Sequence, residues 1–401
     1  MKLFPTSLAV LLWVVLLPSC GEKKDDSADS ATSPETAELP FFVPNPQMVK
    51  AQEITTLPIG AQAPDFKLPG VDDRYYTLGD FNDAKVLTII FTCNHCPTAQ
   101  AYEDRMIAIA NEYKAKGVQM VAISPNSPPA LLHEECGYTD LHDTYEEMKI
   151  RAQDKGFPFP YLYDGDNEEV SIKYGPVATP HAYVFDQNRK LQYVGRLDAS
   201  EKPGTANAED LRAALDAVLA GTPVATPETK TFGCSVKWAW KNEYTLKVEK
   251  EWAASPVSLE PLDEAGVKKL LANDSKKLRL INIWATWCGP CILEYPEFVE
   301  IHRMFMGRDF EFVSLTADSP EHHDKALEFL QKKASALTNY AFAKDDKYAL
   351  IEAVDPKWNG ALPYTLLVEP GGKIVYSTQG VIDPLQLKKT IVEHPMIGRY
   401  Y

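Results

Sequence analysis

Long apolar runs are nearly absent from this sequence of 401 residues. One stands out, Leu8 to Leu17 behind Lys2, and its length matches the h-region of an export signal and falls short of a bilayer span. An excess of basic residues is missing as well. With 41 Lys and Arg against 56 Asp and Glu, the formal charge of −15 gives no general attraction for nucleic acid. Cysteine is sparse: seven residues are too few for a disulfide scaffold of this size. Four of them stand in two C-x-x-C pairs, Cys93 with Cys96 and Cys288 with Cys291, so chemistry rather than stapling is their expected role. A structural zinc site needs four ligands, and no second close pair lies near Cys288, which favours redox use over metal binding.

What is present divides into a leader, a tether and two similar globular units. Residues 1–20 read as a cleaved signal. Its end, Leu17-Pro18-Ser19-Cys20, resembles a bacterial lipobox, which implies lipidation of Cys20 and a membrane-anchored protein facing the periplasm or cell exterior. Pro18 departs from the usual small or branched residue there, and ordinary cleavage is the alternative. Residues 21–53 are rich in Asp, Ser, Thr, Glu and Pro and read as a disordered tether. Residues 54–222 form the first expected domain, 223–254 a connecting segment and 255–401 the second domain.

Each unit holds a run that reads as a strand buried on both faces, Val86–Phe91 and Leu278–Trp284, followed by a cysteine pair opening a helical pattern. At a helix start, exposed peptide N–H groups and the dipole favour the thiolate, the reactive form of sulfur. Later, ATPHAYVFDQNRKL and ALPYTLLVEPGGKI share a proline, a following strand, an acidic residue, a turn and a lysine at the same offsets, so the chain contains an internal duplication. Alternating elements with buried strands give the fold class as α/β, two tandem units each with a central mixed sheet flanked by helices.

Strand, C-x-x-C at a helix start and a proline before a later strand together resemble the thioredoxin superfamily. The resemblance implies that Pro180 and Pro363 are cis, each beside its cysteine pair, and that with Thr179, Leu362 and Trp287 they form the substrate-binding set. The second unit, with Trp284-Ala285-Thr286-Trp287-Cys288-Gly289-Pro290-Cys291, resembles the TlpA-type thiol–disulfide oxidoreductases. The first, with Gly60-x-x-Ala63-Pro64-Asp65-Phe66 and FTCNHCP, resembles the redoxin or peroxiredoxin-like (AhpC/TSA-like) branch. That branch normally carries Thr or Ser three residues before its peroxide-reducing cysteine. Cys93 precedes Cys96 by three and Ile90 precedes Cys93 by three, which weakens a peroxidase reading.

The expected catalytic set is Cys288, Cys291, Cys93, Cys96, Glu294 and His95, with Cys93 and Cys288 as the attacking sulfurs. Glu294, three residues past Cys291 on the same helix, can take up or return its proton, since the strand carboxylate of many thioredoxins is Asn282 here. His95 near the Cys93 thiolate would stabilise the reduced form; a solvated turn histidine is the alternative. No bound cofactor or metal is expected, because Cys93–Cys96 and Cys288–Cys291 serve as redox-active disulfides. Partners would be protein thiols or disulfides, an unidentified upstream redox donor and the membrane, and no nucleic acid. The alternatives are thiol-dependent peroxide reduction by the first unit, recharged by the second, and structural or metal-holding pairs. Arg196 is a candidate site cation, a Cys136–Cys234 disulfide is open, and VKWAWKN around Trp238 and Trp240 reads as an edge strand.

Overall fold

The computed structural model describes residues 40–400 other than 356; the expected signal, Cys20 and most of the tether lie outside them. In the first half, β1 (Lys67–Gly70), β2 (Arg74–Thr77), β3 (Val86–Phe91), β4 (Val118–Ser124), β5 (Tyr161–Tyr163), β7 (His181–Phe185) and β8 (Leu191–Gly195) form a mixed sheet in the order β2-β1-β5-β4-β3-β7-β8, while β6 (Ala178–Thr179) stands outside it. β3 is buried along its whole length, which fits its place between β4 and β7 with helices on both faces. Four helices pack around it: α1 (Pro97–Lys114), α2 (Tyr145–Lys155), α3 (Glu169–Tyr174) and α4 (Glu209–Leu219).

The second half repeats the plan. After β9 (Cys234–Ser235) and α5 (Asn242–Ala253) come β10 (Glu260–Leu262), α6 (Glu264–Ala272), β11 (Leu278–Trp284), α7 (Gly289–Phe305), β12 (Phe310–Thr316), α8 (His323–Lys332), β13 (Thr338–Phe342), α9 (Lys347–Val354), β14 (Tyr364–Val368), β15 (Ile374–Gln379) and α10 (Pro384–Glu393). The sheet order is β10-β13-β12-β11-β14-β15, with β11 central. The protein is thus two tandem thioredoxin-like α/β folds. Both expected proline bonds, Thr179–Pro180 and Leu362–Pro363, are cis.

Three sequence expectations fail on tertiary context. Trp238 and Trp240 are not on a strand: Ala239–Lys241 is a 3-10 turn leading into α5, and the two rings stack at 5.1 Å. Glu103 falls with Asp104, Lys114 and Lys116 on the polar side of the helical pattern, which by sequence faces solvent, yet it is buried and paired through both oxygens with Arg151 of α2 at 2.7 Å. Within the expected tether, Phe42 packs on Tyr145 at 5.0 Å and the Gln47 N–H donates to the Asp166 carbonyl at 2.6 Å.

The polar stretch between β4 and α2 joins the two folds. Leu131 and Cys136 are buried in a cluster with Phe298, Ile301, Met304 and Phe305 of α7. Around that patch, Arg303 donates to Glu134 at 2.8 Å and to Glu249 at 2.7 Å, and Arg399 to Asp140 at 2.6 Å. Cys136 is therefore a buried thiol against α7 and His142, remote in role from Cys234, which packs against Cys93, Cys96 and Ala99.

Candidate active centres

The registers of β3 and β11 align the two halves. Phe91 lies opposite His181, the residue after cis-Pro180, and Ile283 lies opposite Tyr364, the residue after cis-Pro363. Counting on from those partners, Cys96 and Cys288 fall at the same step. Each is the N-cap of its helix, and each sulfur accepts the backbone N–H three residues on, from Ala99 at 3.5 Å and from Cys291 at 3.3 Å. The first pair is thus shifted by three residues against the second: Cys93 matches Ala285, and Ala99 matches Cys291.

In the second centre Cys288 and Cys291 form a disulfide. Asp318, buried at the end of β12, accepts from the Thr286 N–H at 2.9 Å and from its hydroxyl at 2.7 Å, fixing the loop that delivers Cys288. Trp287 projects from that loop, 68% exposed, and with Leu362, Phe342, Tyr348 and Trp358 lines a groove of about 260 Å³. Glu294, on the face of α7 one turn past Cys291, is buried. One oxygen accepts the Ile382 N–H at 2.9 Å and the other has no partner. Burial pushes its carboxyl up to about 7 against the pull of Ile382 and Asn282. Asn282 donates to Thr365 Oγ1 at 3.1 Å.

In the first centre Cys93 and Cys96 are both thiols here, so the expected disulfide is open. Asp143, which nothing in the sequence singles out, organises this loop. Its Oδ1 accepts the N–H groups of Asn94 at 2.8 Å and His95 at 3.0 Å, and its Oδ2 meets His95 Nδ1 at 2.6 Å and Asn126 at 2.7 Å. Burial disfavours the imidazolium, yet the carboxylate of Asp143 holds His95 above its ordinary value. Burial, and hydrogen bonding to Cys96, push the Cys93 thiol well up. Burial opposes ionisation of Cys96 too, but hydrogen bonds from Cys234 and Cys93, the charge on His95 and the Ala99 N–H hold that thiol well below the ordinary range. The thiolate-favouring position is Cys96, not Cys93 as the sequence suggested, because the helix begins one residue after Cys96 and the His95 charge acts there. Arg196 gives its guanidinium to Asp210 at 2.7 Å, so it is no free site cation.

Among the described residues, two clusters bring possible metal-ligand atoms within 4.8 Å of one another: Cys93, His95 and Asp143, and His133, His142 and Glu300. In both the carboxylate is already engaged, by His95 in the first and by His142 and Lys388 in the second. Neither has the four free donors of a structural zinc site.

The profile of the AhpC/TSA family matches residues 59–194 and again 253–377, the two halves that the strand registers bring into correspondence. The chain belongs to the AhpC/TSA family. One family thus covers both halves, where the motifs had suggested two branches. Among curated relatives, the thiol-disulfide oxidoreductase ResA of Bacillus subtilis is 26% identical over 122 residues, 30% of this chain and 64% of that protein. The thiol:disulfide interchange protein HelX of Rhodobacter capsulatus is 29% identical over 143 residues, 34% of this chain and 72% of HelX. The chain therefore spans about two thirds of the length of these relatives. The crystal structure of an uncharacterized conserved protein from Geobacillus kaustophilus is 39% identical, covering 47% of this chain and 97% of that one with a TM-score of 0.41.

Proposed function

We propose that this AhpC/TSA member is an exported thiol–disulfide oxidoreductase that exchanges disulfides with protein thiols or disulfides. The observation that carries the reading is the second centre: a disulfide at a helix N-cap packed with Leu362, the residue before cis-Pro363, a groove under Trp287 lined by aromatic and charged side chains, and a buried carboxyl poised near neutrality. Cys288 is the attacking sulfur, Cys291 the resolving one, and Glu294 carries the proton between them. In the first centre Cys96 attacks, with His95 supporting its charge. The similarity to ResA and HelX supports the reaction class. Reduction of insulin disulfides by dithiothreitol tests it. The full chain should accelerate the reaction and Cys96→Ser/Cys288→Ser should not; equal rates would sink the reading.

Export, lipidation at Cys20, and the division at 54–222, 223–254 and 255–401 belong to the same proposal. Cys20→Ser should release the protein from membranes. Electrons pass between the two centres if their potentials differ, each ~30 mV being worth about 1.4 kcal/mol. Redox titration of each pair, read by thiol-labelling mass spectrometry, gives the direction, and equal potentials would remove the relay.

A second reading, peroxide reduction at Cys96, is favoured by one observation: the edge beside cis-Pro180 is already filled by the chain's own β9. A small oxidant needs less room than a protein strand. Hydrogen peroxide consumption that is lost in Cys96→Ser, with the second centre intact, would support it.

A further inference from the structure

The segment between the two folds does not hang free. The Val194 N–H donates to the Pro227 carbonyl and the Thr229 N–H to that of Val194, and Thr229 Oγ1 accepts the Arg196 N–H at 3.0 Å. Further on, β9 pairs antiparallel with β6, placing Cys234 opposite Thr179 and Ser235 opposite Ala178. Thr231 Oγ1 donates to the Pro180 carbonyl at 2.9 Å. The approach is so close that a Cβ on Gly233 would stand 2.0 Å from the Thr179 carbonyl oxygen, and Gly233 has a φ of +130°.

An open strand edge is where an extended peptide adds by backbone hydrogen bonds. Here the protein adds its own, and that strand carries a sulfur. The Cys234 N–H donates to Cys96 Sγ at 3.3 Å, and Cys234 packs into the small cluster of Cys93, Cys96 and Ala99. Cys96 therefore has two thiols, Cys93 and Cys234, in its packing shell. Cys93 and Cys96 are both buried, Cys93 bonded to Thr179 Oγ1 at 3.1 Å, whereas Cys234, on the strand whose N–H meets Cys96, is partly exposed.

We propose that Cys234 is a third redox residue of the first centre, the thiol that resolves a mixed disulfide on Cys96. The inference rests on Cys96 being the attacking sulfur. The Cys96 thiolate attacks one sulfur of a disulfide R–S–S–R′: the Cys96–S–R bond forms, the S–S bond breaks, and R′S⁻ leaves and takes a proton from water. Cys234 then attacks Cys96 Sγ. The Cys96–Cys234 bond forms, the Cys96–S–R bond breaks, and RS⁻ leaves with the proton that Cys234 gave up. Two electrons pass from the two cysteines to the disulfide, which ends as two thiols. Strand pairing holds the resolving sulfur at high effective concentration.

Oxidised glutathione, added to the reduced full-length chain, is the probe. Cys93 and Cys96 share the tryptic peptide 86–105, and Cys234 lies on 231–237, so their joining is read by mass under non-reducing conditions. In Cys93→Ser, the two peptides should become linked while glutathione on Cys96 stays transient. In Cys93→Ser/Cys234→Ser that adduct should accumulate. Cys93→Ser/Gly233→Ala keeps both sulfurs but pushes the strand off Thr179, and linking should slow about tenfold or more. A lasting adduct on Cys96 in Cys93→Ser, with Cys234 still free, would overturn the proposal. If Cys96 takes up no glutathione in any variant while Cys288 and Cys291 of the same molecules still exchange, the Cys96 reading falls and this proposal with it.

Discussion

Cys96 and Cys288 hold one place in two copies of one fold: each caps the helix that follows the central strand, and each sulfur faces an N–H of the first turn. What differs is the second sulfur. In the later fold it comes from within the helix, and in the earlier one from the loop before it. The difference should show in how the sulfurs respond to pH. With methyl methanethiosulfonate as a small probe, the rate at Cys96 should fall less steeply as the pH is lowered from 8 to 6 than at an ordinary thiol, because the fold holds this sulfur well below the ordinary range. In His95→Gln the supporting charge is lost, the thiol value rises, and the fall in rate over that range should steepen toward that of an ordinary thiol. Parallel profiles for the two proteins would show that His95 does not support the thiolate.

Glu294 calls for a different measurement. Its carboxyl, pushed up to about 7, is half protonated near neutrality and can both give and take a proton. Glu294→Gln should slow reduction of Cys288–Cys291 by dithiothreitol about 100-fold at pH 7, with the inflection near pH 7 removed. Asn282→Asp would place a second carboxyl beside it and move that inflection upward, since like charges disfavour ionisation. An unchanged inflection in Glu294→Gln would assign it to another group.

The duplication and the α/β class were legible because each is written locally, in two runs buried on both faces, Val86–Phe91 and Leu278–Trp284, and a repeated proline-strand-turn pattern; the cis prolines followed only from the thioredoxin resemblance that this pattern carries. The three-residue shift between the pairs was not. Both read C-x-x-C, and only the pairing of Phe91 with His181 and of Ile283 with Tyr364 fixes the offset. Asp143 and Cys234 were invisible as site residues for a similar reason. Each reaches the first centre through tertiary contacts of high sequence separation, and each sits in a stretch whose composition suggests only a loop. The same context turned Glu103 inward, because Arg151 of α2 waits there with two hydrogen bonds.

The groove under Trp287 should contribute binding rather than chemistry. An exposed aromatic ring beside an attacking sulfur is a contact awaiting a partner, and its truncation removes area without touching Cys288 or Glu294. Trp287→Ala should raise KM for a protein disulfide about tenfold with kcat nearly unchanged. Loss in kcat alone would mean that the ring positions the loop instead.

The segment bearing Cys234 should loosen as pH rises, and Glu168 supplies the reason. Its side chain is buried, one oxygen accepts the Ala239 N–H at 2.8 Å, and the other has no partner. Burial pushes this carboxyl up to about 8, with the charge of Asp164, itself raised to about 7, adding to the effect. An acid whose native value lies above its unfolded one binds its proton more tightly when folded. Between the ordinary glutamate range and pH 8 the native state therefore holds more protons than the unfolded state, and stability falls as pH rises through that window. Glu168→Gln keeps an acceptor for Ala239 and has no charge to bury. It should be more stable than the parent above pH 8 by about 2–4 kcal/mol, with the gap closing toward pH 5. Denaturant titrations of both proteins at pH 5, 7 and 9 give the gap directly, and a constant difference across the three would show that Glu168 stays ionised in the fold.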